Sequence, residues 1–379
     1  MRDGWLETTL GDVAEWWSGG TPKAREPKYY ENGTIPWAVI ADMNKGIIDS
    51  TNSYITKEGL ALIGGRLAPV GSVLISMYAS VGKSAIANIP LATNQAIAWS
   101  IPNQKKIIPF YLYLVSQQLE KEISDLARGA TQRNINRQML REFTFQLPPL
   151  PEQKRIVDLI SSVDSYIEAL QQQLDIAKRS RNAVLHELLT AGGDDWVEHK
   201  LIDMFEIYQP QTIAKSLMSE DGEFIVFGAN GPIGRYHEFN HEEPEVVVTC
   251  RGATCGTINM TPHKTWITGN AMVVSPKTSE VLKEFLYWAL VAGVDIQSVV
   301  SGSAQPQITR EGLAPVKIKI PPVSQQNEIV DLISGFELNI SQLEESLNKS
   351  KTLRSGLLSD LLSGEHEIPA NYDKAMGPA

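Results

Sequence analysis

The 379-residue sequence holds only two cysteines, Cys250 and Cys255, so no disulfide framework is available to it. That favours a reducing, cytoplasmic setting. It also lacks any run of about 18 apolar residues, the length a bilayer-spanning helix needs. Its start, Met1-Arg2-Asp3-Gly4-Trp5, has no apolar stretch of the signal-peptide kind. No membrane partner is expected.

Catalytic signatures are equally scarce. Gly82-Lys83-Ser84 ends like a phosphate-binding loop, but Met77 stands where that pattern requires glycine. The Pro-Pro pairs follow Leu147 and Ile320 with no aromatic residue after them, so no amine-methylation motif is present. No Ser-His-Asp constellation is legible. Glu152-Gln153-Lys154 has the look of a nuclease Glu-x-Lys, yet it falls in the first turn of a helix, where solvated charge explains it. His237 and His241 with Cys250 and Cys255 offer the ligand number of a zinc site. The first-half counterparts of those cysteines are Ser76 and Val81, however, so the repeat folds without metal. The chain reads as non-enzymatic, with no catalytic and no metal-ligating residues.

Positive charge is short as well. The net charge is −10, made of +2 over residues 1–150, −1 over 151–190, −6 over 191–323 and −5 over 324–379. A nucleic-acid reader of this composition needs its basic side chains gathered on one face.

What the sequence does have is a repeat. Leu147–Ile160 reads LPPLPEQKRIVDLI and Ile320–Ile333 reads IPPVSQQNEIVDLI, 173 residues later, with eight of fourteen positions identical. From there Ile156, Ile160, Val163, Ile167, Leu170 and Leu174 continue a four-three apolar alternation through Ala177, Val184 and Leu188, with Arg181 in the missing slot. Ile329, Ile333, Phe336, Ile340, Leu343 and Leu347 do the same, through Leu357 and Leu361, with Ser350 and Arg354 in the gaps. Such spacing over four heptads is a coiled-coil seam. Pro151 suits a first helical turn, Ser324 an N-cap, and Gly192-Gly193 and Gly364 mark the far ends. Two helices of about 38 residues follow, roughly 57 Å each. Leu159, Leu185, Leu189, Leu332, Leu358 and Leu362 lie outside the seam, free either to pack on globular units or to meet partners.

The echo extends upstream. Gly129-x-x-Gln132-x-x-Ile135 matches Gly302-x-x-Gln305-x-x-Ile308, and Trp5…Asp12 returns as Trp196…Asp203. Short β-branched runs (Val73–Ile75, Val246–Thr249, Val316–Ile320) and one helical patch per half (Pro109–Leu126, Ser279–Val291) make each half an α+β unit. Offsets between the copies imply about 18 extra residues in the first, within Ser18–Asn52.

This layout resembles the specificity subunit of type I restriction-modification systems, over nearly the whole chain. The most specific element is the twice-written Leu/Ile-Pro-Pro-hydrophobic-x-x-Gln-x-x-Ile-Val helix start, with Gln153 and Gln326 at its glutamine. The resemblance implies an α+β fold: target-recognition domains at 1–147 and 193–320, spacer helices at 148–192 and 321–364, and a tail at 365–379. The helices would pair as an antiparallel, pseudo-two-fold coiled coil. It also implies a non-catalytic reader of double-stranded DNA whose domains each read half of a bipartite, asymmetric target. Partners would be two adenine-methylating modification subunits and restriction/translocase subunits. S-adenosylmethionine, Mg and ATP would belong to those partners, with no cofactor in this chain.

Candidate DNA contacts are residues in Gly-flanked loops whose side chains suit phosphates or base edges. They are Tyr78, Ser80, Lys83, Gln95, Arg133 and Arg137 in the first unit, and Arg251, Thr254, Lys264, Asn270, Gln305 and Arg310 in the second. Gln132 and Gln305, being repeated, read first as ties at the domain–helix junction. The alternative function is a duplicated coiled-coil scaffold that binds proteins and no DNA, which the acidic second unit favours.

Overall fold

The computed structural model describes residues 4–129, 134–302, 305–369 and 372. The chain divides into two compact units, residues 1–169 with 347–379, and residues 170–346. Each is α+β, and the order of strands agrees between them. In the first unit a five-stranded sheet runs Ala14–Ser18, Ile97–Pro102, Val73–Ser76, Ser84–Ala87, Ile47–Ile48. In the second, Phe205–Tyr208, Ala271–Pro276, Val246–Thr249 and Ile258–Met260 repeat its first four positions. The inner strands Val73–Ser76 and Val246–Thr249 are buried throughout, which suits their apolar, β-branched-rich sequences.

A three-stranded sheet follows in each unit. Its central strand, Ile35–Ala38 or Phe224–Phe227, makes one parallel pairing, Trp37 to Ala92 or Val226 to Trp266. Strand pairing corrects the position of the extra residues. They lie between Ile35–Ala38 and Val73–Ser76, where 34 residues (39–72) stand against 18 (228–245) in the second unit. The expected span, Ser18–Asn52, covers only part of this segment, because the flanking strands match by pairing and not by sequence.

A two-stranded ribbon precedes each long helix. Leu6–Thr9 pairs antiparallel with Thr144–Leu147, and Val197–Lys200 with Lys317–Ile320. The repeated tryptophans follow from it: the Trp5 indole N–H donates to Glu152 Oε2 at 3.0 Å and that of Trp196 to Gln325 Oε1 at 2.9 Å.

The long helices are Leu150–Ala191 (42 residues) and Val323–Ser363 (41 residues). Ser324 is not an N-cap, since the helix has already begun at Val323. The carbonyl of Pro322 accepts the first helical bonds, from the N–H groups of Gln325 and Gln326, as that of Pro149 does from Glu152 and Gln153. Gly192 (φ +60°) and Gly364 (φ +77°) take the left-handed conformation after the last turn, which only glycine adopts freely.

Within the second unit Lys178 bonds Glu344 at 2.6 Å and Arg181 bonds Glu337, so one helix descends as the other rises. Within the first, Arg354 donates through Nε and Nη2 to the two carboxylate oxygens of Asp164. The helices are therefore antiparallel. Arg181 and Arg354 are 173 residues apart, as are Asp164 and Glu337, so the repeat writes one ion pair twice. Along the seam, Ile156, Ile160, Leu170, Leu174, Ile329, Ile333, Ile340 and Leu347 are buried. Val163, Ile167, Phe336 and Leu343 are half-buried. Leu185, Leu189, Leu358 and Leu362 are buried in the globular cores and Leu159 packs against the first, while Leu332 stays 47% exposed.

One polar side chain per unit anchors its helix. Gln153, fully buried, accepts from the Ile108 N–H (2.9 Å) and donates to the carbonyls of Lys106 (2.9 Å) and Pro148 (2.8 Å). Gln326 repeats this on the Leu282 N–H (2.8 Å), Glu280 (2.8 Å) and Pro321 (2.9 Å).

Candidate nucleic-acid interface

The candidate residues cluster where three loops cross, at the end of Val73–Ser76 in the first unit and of Val246–Thr249 in the second. In the first, the Met77 N–H donates to Ala96 O at 2.7 Å and the Ile135 N–H donates to Met77 O at 3.1 Å. In the second, the Cys250 N–H donates to Asn270 O at 3.1 Å and the Ile308 N–H to Cys250 O at 3.0 Å, with Gly252 N–H on Pro306 O at 3.1 Å. The Tyr78 and Ser80 turn is thereby joined to the segments carrying Gln95 and leading to Arg137. Arg251 and Thr254 are likewise joined to Asn270 and to the segment of Gln305 and Arg310. All nine of these side chains are exposed. The first turn depends on Gly82, at φ +89°, where an added Cβ would lie 2.6 Å from the carbonyl oxygen of Glu120.

Three candidates stand differently. Lys83 is half-buried and its amine bonds Asn44 Oδ1, so the first unit's own insertion engages it. Lys264, at φ +49°, forms a turn whose N–H donates to Glu242 O (2.8 Å), with its amine 5.9 Å from the Phe239 ring, and these contacts are not with the crossing loops. Arg133 and the repeated Gln132 lie outside the described residues. Gln305 is exposed, so in the second unit the tie at the domain–helix junction is made by buried Gln326.

A fourth loop borders each crossing, and the sequence did not single it out. Gly19 and Gly20 donate to the carbonyls of Ile97 (3.2 Å) and Thr93 (2.9 Å), which brings Thr21 onto Gln95. A Cβ at Gly19 would fall 2.1 Å from Thr93 Oγ1 and 2.2 Å from Thr93 O. In the second unit the close approach is kept and the glycine changes sides: a Cβ on Gly269 would meet Pro210 O at 2.8 Å and Thr212 Oγ1 at 3.0 Å. Gly19→Ala is expected to destabilise the first unit by about 2 kcal/mol, the scale of forced overpacking, and a denaturation curve measures it. Beyond the glycines, Lys23, Arg25 and Lys28 are exposed, and Arg25 takes a left-handed φ of +68°. The Gly-Gly-Thr-Pro run at 19–22 was a readable turn signal.

Near the second crossing, Tyr208 Oη lies 2.9 Å from His241 Nε2, with the two rings stacked, and Asn240 Oδ1 is 2.6 Å from His241 Nδ1. Burial lowers the His241 pKa from 6.5, against Glu245, which raises it; Lys283 lowers it further. The unfolded chain then takes up a proton that the folded one refuses. Stability should fall as pH drops through about 6.5 and level off below the folded value. His241→Asn should flatten that slope in melts taken from pH 7.5 to 5.

The described residues contain no group of three or more His, Cys, Asp or Glu able to hold a metal, and no helix long and apolar enough to cross a membrane.

The family model for the type I restriction modification DNA specificity domain matches residues 2–178 and 193–350. The chain is similar to the EcoR124I/EcoR124II specificity subunit of Escherichia coli, at 28% identity over 47% of each chain. It is similar to the EcoprrI specificity subunit of Escherichia coli over 93% of this chain and 92% of that one, at 25% identity. Among solved structures, a type I restriction-modification S subunit from M. genitalium shares the fold, with a TM-score of 0.61 and 17% identity over 97% of this chain and 98% of that one.

Proposed function

Because the chain belongs to the type I restriction-modification DNA specificity family, we propose that it is the DNA-reading subunit of such a system and carries no catalysis itself. Each unit binds double-stranded DNA through the rim where its loops cross, and each reads one half of a bipartite, asymmetric target. The observation that carries this reading is a shared frame with unlike side chains. The same backbone crossing presents Tyr78, Ser80 and Gln95 in one unit and Arg251, Thr254 and Asn270 in the other. Equal frames with different donors and acceptors suit two different half-sites.

The partners are two adenine-N6 modification subunits and restriction/translocase subunits, which would hold the S-adenosylmethionine, Mg and ATP, in the cytoplasm. Tyr166, Ile176, Leu338 and Leu353, each more than half exposed on the long helices, supply apolar surface for docking. The acidic balance of the chain favours a second reading, a scaffold that binds proteins alone.

Single-molecule methylome sequencing of cells expressing the chain with its modification subunit separates the two. A bipartite motif with N6-methyladenine in both halves, lost on deleting the chain, is the expected result. Arg251→Ala should then alter one half only. A chain-independent methylome, with the modification subunit bound, establishes the scaffold.

A further inference from the structure

We propose that Thr21 sets base discrimination in the first unit by fixing the side-chain amide beside it, Gln95; this rests on the DNA-reading function above. Thr21 donates its hydroxyl hydrogen to Gln95 Oε1. Both side chains are exposed, and the Gln95 amide nitrogen has no partner among the described residues. An unrestrained glutamine amide turns over readily, exchanging a donor face for an acceptor face. The hydrogen bond to Thr21 holds the orientation in which Oε1 is the acceptor. With Oε1 engaged, Gln95 presents its NH₂, which suits the acceptors of a base edge: purine N7, guanine O6 or thymine O4. Ordering the side chain before binding also lowers the entropy lost at the interface.

The arrangement is repeated at the level of position. Thr212 lies 191 residues beyond Thr21, the offset of Trp196 from Trp5, and Asn270 lies 175 beyond Gln95, the offset of Thr268 from Thr93. Thr212 and Asn270 are both exposed. The glycine next to Asn270 admits Thr212, whose Oγ1 would be 3.0 Å from a Cβ at Gly269. Glycine thus permits the approach in both units, from Gly19 in one and Gly269 in the other. The amide is one methylene shorter in the second unit. Neither threonine is in a core, so the couple shapes recognition and not folding.

The test uses the full chain with its modification subunit, methylating a DNA library randomised in both half-sites. Thr21→Val is expected to lose about tenfold of the preference at one base pair of one half-site, the effect of one mispositioned base contact. Thr21→Ser, which keeps the hydroxyl, should behave as wild type, and Gln95→Leu should reproduce Thr21→Val. Unchanged preferences in Thr21→Val overturn the proposal. So does a loss spread evenly over all sequences, the signature of a phosphate or packing role. A wild-type complex with no chain-dependent motif overturns DNA reading itself, and this proposal with it.

Discussion

Gln153→Leu is expected to lower the stability of the first unit by about 3 kcal/mol, read from the midpoint and slope of a urea unfolding curve. Leucine fits the volume but leaves the Ile108 N–H and the carbonyls of Lys106 and Pro148 without this partner in a fully buried site. Each orphaned buried group costs about 1–3 kcal/mol. The lower end applies here, because a carbonyl keeps a second lone pair for other donors. Gln326→Leu should cost the second unit as much, since Leu282, Glu280 and Pro321 stand in the same relation to it. Gln153→Glu is the sharper probe. Its carboxylate accepts from Ile108 but then faces two carbonyl oxygens, so it should be tolerated only where pH is low enough to protonate it. A loss below 1 kcal/mol for Gln153→Leu refutes the clamp.

The second large effect concerns the seam. Asp164→Leu leaves the Arg354 guanidinium, whose side chain is 20% exposed, without its carboxylate. Loss of about 2–3 kcal/mol is expected, somewhat under the cost of breaking a fully buried pair. The double variant Asp164→Leu with Arg354→Leu should recover most of it, to within about 1 kcal/mol of wild type, since apolar residues often replace a buried ion pair without loss. Gln117, whose Oε1 accepts from Arg354 Nη2 at 3.2 Å, keeps part of the guanidinium satisfied in the single variant. A double variant no more stable than Asp164→Leu would mean that the pair acts by positioning and not by charge balance.

These pairs also show how the sequence was readable and where it stopped. Arg181 and Arg354 were visible as interruptions of a regular apolar pattern, because a 3.5-residue period tolerates no silent exception. Their partners, Glu337 and Asp164, were not visible, since an acidic residue on a helix surface is ordinary until the facing helix and its register are known. Gln153 and Gln326 stood out by repetition, but repetition did not show that they are buried clamps. Burial decided that. The loop of Thr21 is hard to single out in the sequence for the opposite reason. Its second copy, at Thr212, shares too little sequence to register as a repeat, and only the strand pairing of Ala14–Ser18 and Phe205–Tyr208 aligns the two.

The sequence by itself determined the duplication, the two long helices, the seam and the α+β character of each half. All of these follow from local periodicity and from similarity along the chain, which need no third dimension. Only the tertiary structure decided where the extra segment of the first unit lies, which apolar residues of the helices the cores absorb, and which loops meet at the crossing. Those depend on strand register and on burial. Both are contacts between residues far apart in the chain, and neither residue of such a contact carries the other's position in its own neighbourhood.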